Sequence, residues 1–122
     1  MEFLRSNTER PFSAAVIHNG KVLETVLTGM PPGESSPVGG GAGAEMREIF
    51  RQLDEILAQA GLSRNNVCSA RIYAQDVLNN VAEINSAWKE YFGTHPANRR
   101  CYGVQLQAGM RVEAGFVAEF PE

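Results

Sequence analysis

The stretch His95-Pro96-Ala97-Asn98-Arg99-Arg100-Cys101-Tyr102 crowds two guanidinium groups, a thiol and an imidazole into a few residues. A guanidinium is planar and permanently charged, and its N–H donors form a fork that matches a carboxylate or phosphate bidentately. Gly93 and Pro96 punctuate the stretch, so the preceding helix must end and the chain must turn. The arginines then fall at the mouth of a strand, a rigid place from which one of them can grip the carboxylate of a small substrate. Glu113 lies in the next strand-like run. An arginine fork and a carboxylate together can hold an anionic substrate and position or deprotonate a water. The same residues also make a plain surface ion pair across strands, which stabilises by about 0–1 kcal/mol. On pattern alone that plainer account is the better one.

Other chemistries find little support. No Ser-His-Asp arrangement of recognisable kind is present, and His18 and His95 both fall in turns, where a surface role is expected. Cys68 and Cys101 lack the CxxC spacing of a zinc site, and no disulfide is expected between them. Gly39-Gly40-Gly41-Ala42-Gly43 lacks the Gly-Lys-Ser/Thr ending of a phosphate loop and reads as a loop feeding a helix. Neither a cofactor nor a metal is called for. The net charge of -3 gives no basic footprint for nucleic acid or an anionic membrane. No apolar run reaches the roughly 18–20 residues of a membrane span, and the N-terminus has no signal-peptide core. A cytoplasmic protein is expected, and 122 residues suit a single domain.

The elements that must position these groups follow from periodicity. Residues 1–12 read as an extended arm or short strand, broken by Pro11. Residues 13–28 read as a β-hairpin turning at Asn19-Gly20, because both residues tolerate positive φ. Met46, Ile49, Phe50, Leu53, Ile56 and Leu57 recur at steps of three and four, which predicts a helix over 44–60. Its charged residues, Glu45 among them, are assigned to a solvated face. Residues 67–73 alternate as a strand, with Cys68, Ala70 and Ile72 on the apolar side. Residues 76–80 read as a capping turn before a second helix over 79–92, with Asn85 beside its apolar stripe. Two strands close the chain, alternating over 101–106 and 110–120 and joined by a tight turn at Gln107-Ala108-Gly109. That hairpin would bring Glu113 within reach of the Cys101 end of its partner. The order ββ-α-β-α-ββ predicts an α+β fold with two helices on one face of a mixed sheet.

Several of these stretches, taken in order, resemble the Rid family of reactive intermediate deaminases, also called the YjgF family. Pro11-Phe12-Ser13 is similar to its Pro-Tyr-Ser opening, and Thr28-Gly29-Met30-Pro31 to its Ser-Gly-Gln-Ile-Pro turn. Residues 38–47 and 53–61 match the lead into its first helix and that helix's end. Ile84-Asn85-Ser86-Ala87-Trp88-Lys89-Glu90-Tyr91-Phe92-Gly93 resembles its Phe-Asn-x-x-Tyr/Trp-x-x-Tyr-Phe-Gly block. His95 to Cys101 resembles its His-Pro-Pro-Ala-Arg-Ser-Cys/Thr signature. The resemblance implies a homotrimer of chorismate-mutase-like fold with sites between subunits, hydrolysing 2-enamino or 2-imino acids to 2-keto acids and ammonia without a cofactor. It implies Arg99 as the carboxylate clamp and Glu113 as the residue that positions the attacking water. Cys101, Gly29, Phe12 and Asn85 would line the substrate site. Four departures fall on the implied pocket: Phe12 stands for a tyrosine, Arg100 stands for a serine beside Arg99, the hairpin before Gly29 is longer, and Leu106-Gln107-Ala108-Gly109 replaces a Leu-Pro turn that is one residue longer. A trimeric protein that binds a small carboxylate without turnover is the alternative they suggest. Ribonuclease activity, attributed to some members, is disfavoured by the acidic balance.

Overall fold

The computed structural model describes residues 1–4 and 12–122. Pro11, and with it most of the N-terminal arm, lies outside the described residues. The elements run β1 (Glu2–Leu4), β2 (Ala15–His18), β3 (Val22–Thr28), α1 (Ala42–Gln59), β4 (Val67–Ala74), α2 (Val77–Phe92), β5 (Asn98–Gly103) and β6 (Val112–Glu119). They form the expected α+β layout, two helices packed on a mixed six-stranded sheet ordered β1-β2-β3-β6-β4-β5.

Both helices are built by their apolar stripes. Met46, Ile49, Phe50, Leu53, Ile56 and Leu57 of α1 are buried, as are Ile84, Ala87, Tyr91 and Phe92 of α2. The sheet contributes one alternating face to the same core: Leu23 and Leu27 from β3, Ala70, Ile72 and Ala74 from β4, and Val112, Ala114, Phe116 and Ala118 from β6. Burying each large side chain of this kind contributes about 1.5–3 kcal/mol. The β2–β3 hairpin forms as expected, with Asn19 at φ 53° and Gly20 at φ 67° in its turn.

The closing strands do not form the expected hairpin. The turn at Gln107-Ala108-Gly109 is present, closed by the Met110 N–H donating to the Gln107 carbonyl at 3.1 Å. The strands it joins, however, are separated by β4, which pairs parallel with β5 and antiparallel with β6. The segment 104–111 crosses the end of β4, tied by Val104 N–H to the Ala74 carbonyl at 3.0 Å and Leu106 N–H to Gln75 Oε1 at 2.6 Å. β6 then inserts between β3 and β4, where a strand with one fully apolar face fills the middle of the sheet. Tyr102, Val104 and Leu106 do not alternate along one strand, because β5 ends at Gly103.

Two local readings also change. A bulge between Val67 and Ser69 turns Val67 inward and leaves Cys68 exposed, whereas the sequence placed Cys68 on the apolar face. Helix α2 starts at Val77, so residues 77–80 are helical rather than a capping turn. The Asp76 side chain does not cap a backbone N–H but accepts Asn79 Nδ2 at 2.9 and 3.1 Å.

Candidate active site

The arginines are the second and third residues of β5, at the strand start the sequence indicates, and consecutive strand residues face opposite sides. Arg99 pairs with Ala70 and Cys101 with Ile72, both buried beneath the helices, so Arg99 and Cys101 project toward the helical layer. Arg100 pairs with Arg71 and projects from the open face. The Arg99 guanidinium is held in place. Its Nη2 donates to Asn85 Oδ1 at 2.6 Å, and its carbon sits 5.1 Å from the centre of the Trp88 ring. Asn85 and Trp88 lie three residues apart on α2, so one helical turn presents an acceptor and a π-face together. Asn85, read as an edge polar residue, is therefore the orienting partner of the Arg99 guanidinium. Among the described residues Arg99 has no carboxylate partner.

Glu113 is not beside this group. It pairs with Thr28 on β3 and Tyr73 on β4, and its neighbours Val112 and Ala114 are buried. Its carboxylate therefore projects from the open face, opposite to Arg99 in the same chain. The partner strand of Cys101 is β4, so the expected reach between Glu113 and the Cys101 end fails within one protomer. Among the described residues Glu113 has no cationic partner. Gly29 is buried at the end of β3, next to Thr28 and so close to the Glu113 register. Phe12 is 63% exposed. Of the implied site residues, the protomer thus brings together Arg99, Asn85 and Cys101 on one side, and Gly29 and Glu113 at the other end.

His95 is not a surface residue of a free turn. It is half-buried, with Nε2 2.6 Å from the Val67 carbonyl and its ring stacked on Phe92. With Cys68, Glu119, Phe120 and the Asn65–Asn66 turn it lines a cleft of about 400 Å³ at the Val67 end of the sheet. Burial, and next the charge of Glu119, push the Cys68 thiol up, so it is not an activated nucleophile.

Residues that sequence reasoning missed lie on α1. Glu45 is fully buried rather than solvated, and its two oxygens accept the Arg111 N–H at 2.8 Å and Arg111 Nη1 at 3.1 Å. Gln52, also buried, donates from Nε2 to the Thr28 and Met30 carbonyls at 3.2 and 2.9 Å. Both side chains clamp the turn and strand that carry Gly29 and Glu113. A signal existed: Glu45, Ile49, Gln52 and Ile56 recur at steps of four, three and four.

A two-helix layer on a mixed sheet, with a guanidinium on an edge strand oriented by Asn85 and Trp88, gives a small α+β domain a fixed cation that can meet an anionic ligand. The comparisons narrow this. The family model described as Endoribonuclease L-PSP matches residues 4–120, and the chain belongs to this family, the YjgF/Rid family. It is 30% identical over 109 residues to the human 2-iminobutanoate/2-iminopropanoate deaminase, covering 88% of this chain and 79% of that protein. It is 33% identical over 111 residues to a RutC family protein of Aquifex aeolicus, covering 88% and 87%. Among solved structures, the Rid-family protein YyfA of Yersinia pestis superimposes with a TM-score of 0.81 at 26% identity, over 90% of this chain and 88% of that one. Escherichia coli TdcF with bound serine gives the same TM-score at 22% identity, over 92% and 90%, a likeness of fold. Among the described residues no helix is long and apolar enough to cross a membrane.

Proposed function

We propose that the protein hydrolyses small 2-enamino or 2-imino acids to 2-keto acids and ammonia. The observation that carries this reading is the Arg99 guanidinium, oriented by Asn85 and Trp88 and, among the described residues, without a carboxylate partner. A substrate carboxylate supplies the missing anion. The attacking water then adds to the imine carbon, and the Glu113 carboxylate takes its proton. That proton passes to nitrogen, giving a carbinolamine, and the hydroxyl proton follows it through the same carboxylate as the C–N bond breaks, leaving the 2-keto acid and ammonia. No oxidant and no cofactor enters this balance. The names of the relatives, imine deaminases at about 30% identity, support the same substrate class.

Because Arg99 and Glu113 project from opposite faces of one protomer, the reading requires a second copy to bring its Glu113 side toward the Arg99 edge. A homotrimer with sites between subunits meets that requirement. A second reading, carboxylate binding without turnover, draws on Phe12, which lacks the hydroxyl of the family's tyrosine.

Arg99→Ala is expected to lower kcat/KM for imino-acid hydrolysis by about 30- to 1,000-fold, from losing charge-assisted hydrogen bonds worth roughly 2–4 kcal/mol. Stopped assays of ammonia release, with the melting curve unchanged, check this; an unaltered rate refutes the clamp. Trp88 is the only tryptophan and lies under the guanidinium. Titrating a 2-keto acid should therefore change its fluorescence, and Arg99→Ala should abolish the change. Fluorescence change without ammonia release selects the second reading.

A further inference from the structure

We propose that Glu45 is a positioning residue for Glu113, fixing the backbone from which that carboxylate projects. The inference rests on the hydrolytic reading above. A carboxylate shielded from water is costly unless it is paired and hydrogen-bonded. Glu45 has no exposed surface, and both of its oxygens are directed at one residue, Arg111. Arg111 stands two residues before Glu113, at the entrance of β6. The backbone N–H of Arg111 is one of the two donors, so the bond holds main chain and not only a side chain.

The opposite flank of Glu113 bears on the same side chain. Thr28 is the β3 partner of Glu113, and the next residue, Gly29, lies against Glu45. A Cβ added at Gly29 would fall 2.7 Å from Glu45 Cβ and Cγ and 2.9 Å from its Cα. Only glycine permits that approach. Gln52 holds the two carbonyls on either side of Gly29. One face of α1 therefore grips the strand entrance that precedes Glu113 and the turn that follows its cross-strand partner. Glu45 sits in the first turn of α1, where the unpaired N–H groups of the helix favour an acid. It lies on the helical side of the sheet while Glu113 projects from the other, so it acts through the backbone and does not touch substrate. Displacements of about 0.5 Å are enough to spoil catalytic geometry, so loss of this clamp should slow turnover without weakening the grip of Arg99.

The test is a double-mutant cycle on the full-length protein, assayed by ammonia release from a 2-imino acid. Glu45→Gln keeps the shape and an acceptor for the Arg111 N–H but removes the charge. It is expected to lower kcat about tenfold with KM within about twofold, at unchanged oligomeric mass. On a Glu113→Gln background the same substitution should change kcat by less than about twofold, because the residue it positions is already gone. An unchanged kcat in Glu45→Gln, or an equal loss on both backgrounds, overturns the inference. If Glu45→Gln does not fold, Glu45→Asp keeps the charge with a shorter reach. It should show the same loss, and full activity in that variant overturns the inference. Absence of turnover in the unsubstituted protein removes the hydrolytic reading, and this inference with it. A loss in Glu113→Gln that is uncoupled from Glu45 removes this inference alone.

Discussion

Tyr91 shows how single side chains in this fold serve both packing and charge. Its ring stacks on Phe50 at 4.1 Å, and the Arg64 guanidinium carbon lies 3.9 Å from its centre. Its hydroxyl donates to Asp54 Oδ1 at 2.5 Å, while Arg64 bridges Asp54 Oδ2 and the Tyr91 carbonyl. Burial first, then the hydrogen bond to Asp54, push the phenol far above its ordinary value near 10. The folded state thus binds this proton more tightly than the unfolded chain does. The corresponding stability is fully present below about pH 10 and is lost as pH rises above it. Urea unfolding between pH 9 and 11 should show the decline, and Tyr91→Phe should flatten it. At pH 7 that substitution should cost about 1.5–3 kcal/mol, the range for a hydrogen bond to a charged acceptor. An unchanged unfolding midpoint would mean that the hydroxyl contributes nothing net.

At the scale of elements, the helices, the first hairpin and the element order were legible because each rests on local periodicity or turn chemistry. The neighbours of β6 were not. A turn at Gln107-Ala108-Gly109 is a local fact, but which edge β6 joins depends on the parallel β4–α2–β5 unit, whose outer edge takes β5 and whose inner edge stays open. The same limit hid the opposite facings of Arg99 and Glu113, since their separation is a property of the sheet and not of either strand. Glu45 and Gln52 went unread for a different reason: residue type outweighed a helical period that placed them inward. Cys68 was misplaced because a bulge adds one residue to the strand count, and alternation read from sequence cannot register it. Cys68→Ser tests that placement. On an exposed bulge it should alter stability by no more than about 0.5 kcal/mol, whereas an inward thiol replaced by a hydroxyl would cost more. Comparison with Ala70→Ser, on the buried side of the same strand, supplies the internal standard: urea midpoints should separate clearly, with only Ala70→Ser shifted.

For the whole molecule, the deciding feature is that helices cover one side of the sheet and that, among the described residues, no helix covers the other. Antiparallel sheets can face water on one side, so openness alone implies no partner. The composition of this face goes further. Val26 is 62% exposed, Tyr102 is 45% exposed and stacks on Tyr73 at 5.9 Å, and Val16 and Val117 share the surface with Arg71, Arg100 and Glu113. Exposed aromatics and arginines of this kind are enriched at association surfaces. Glu113 stands on this face, so covering it would also shield from bulk water the carboxylate that the proposed reaction uses. Val26→Glu places a charge in the middle of β3 on the open side, where the protomer core does not use the residue. It is expected to yield monomers by light scattering, with circular dichroism unchanged and imine hydrolysis lost, and the unsubstituted chain is expected to run as a trimer. A Val26→Glu monomer with full turnover would locate the whole reaction within one protomer, and Glu113, on the face away from Arg99, would then have no part in it.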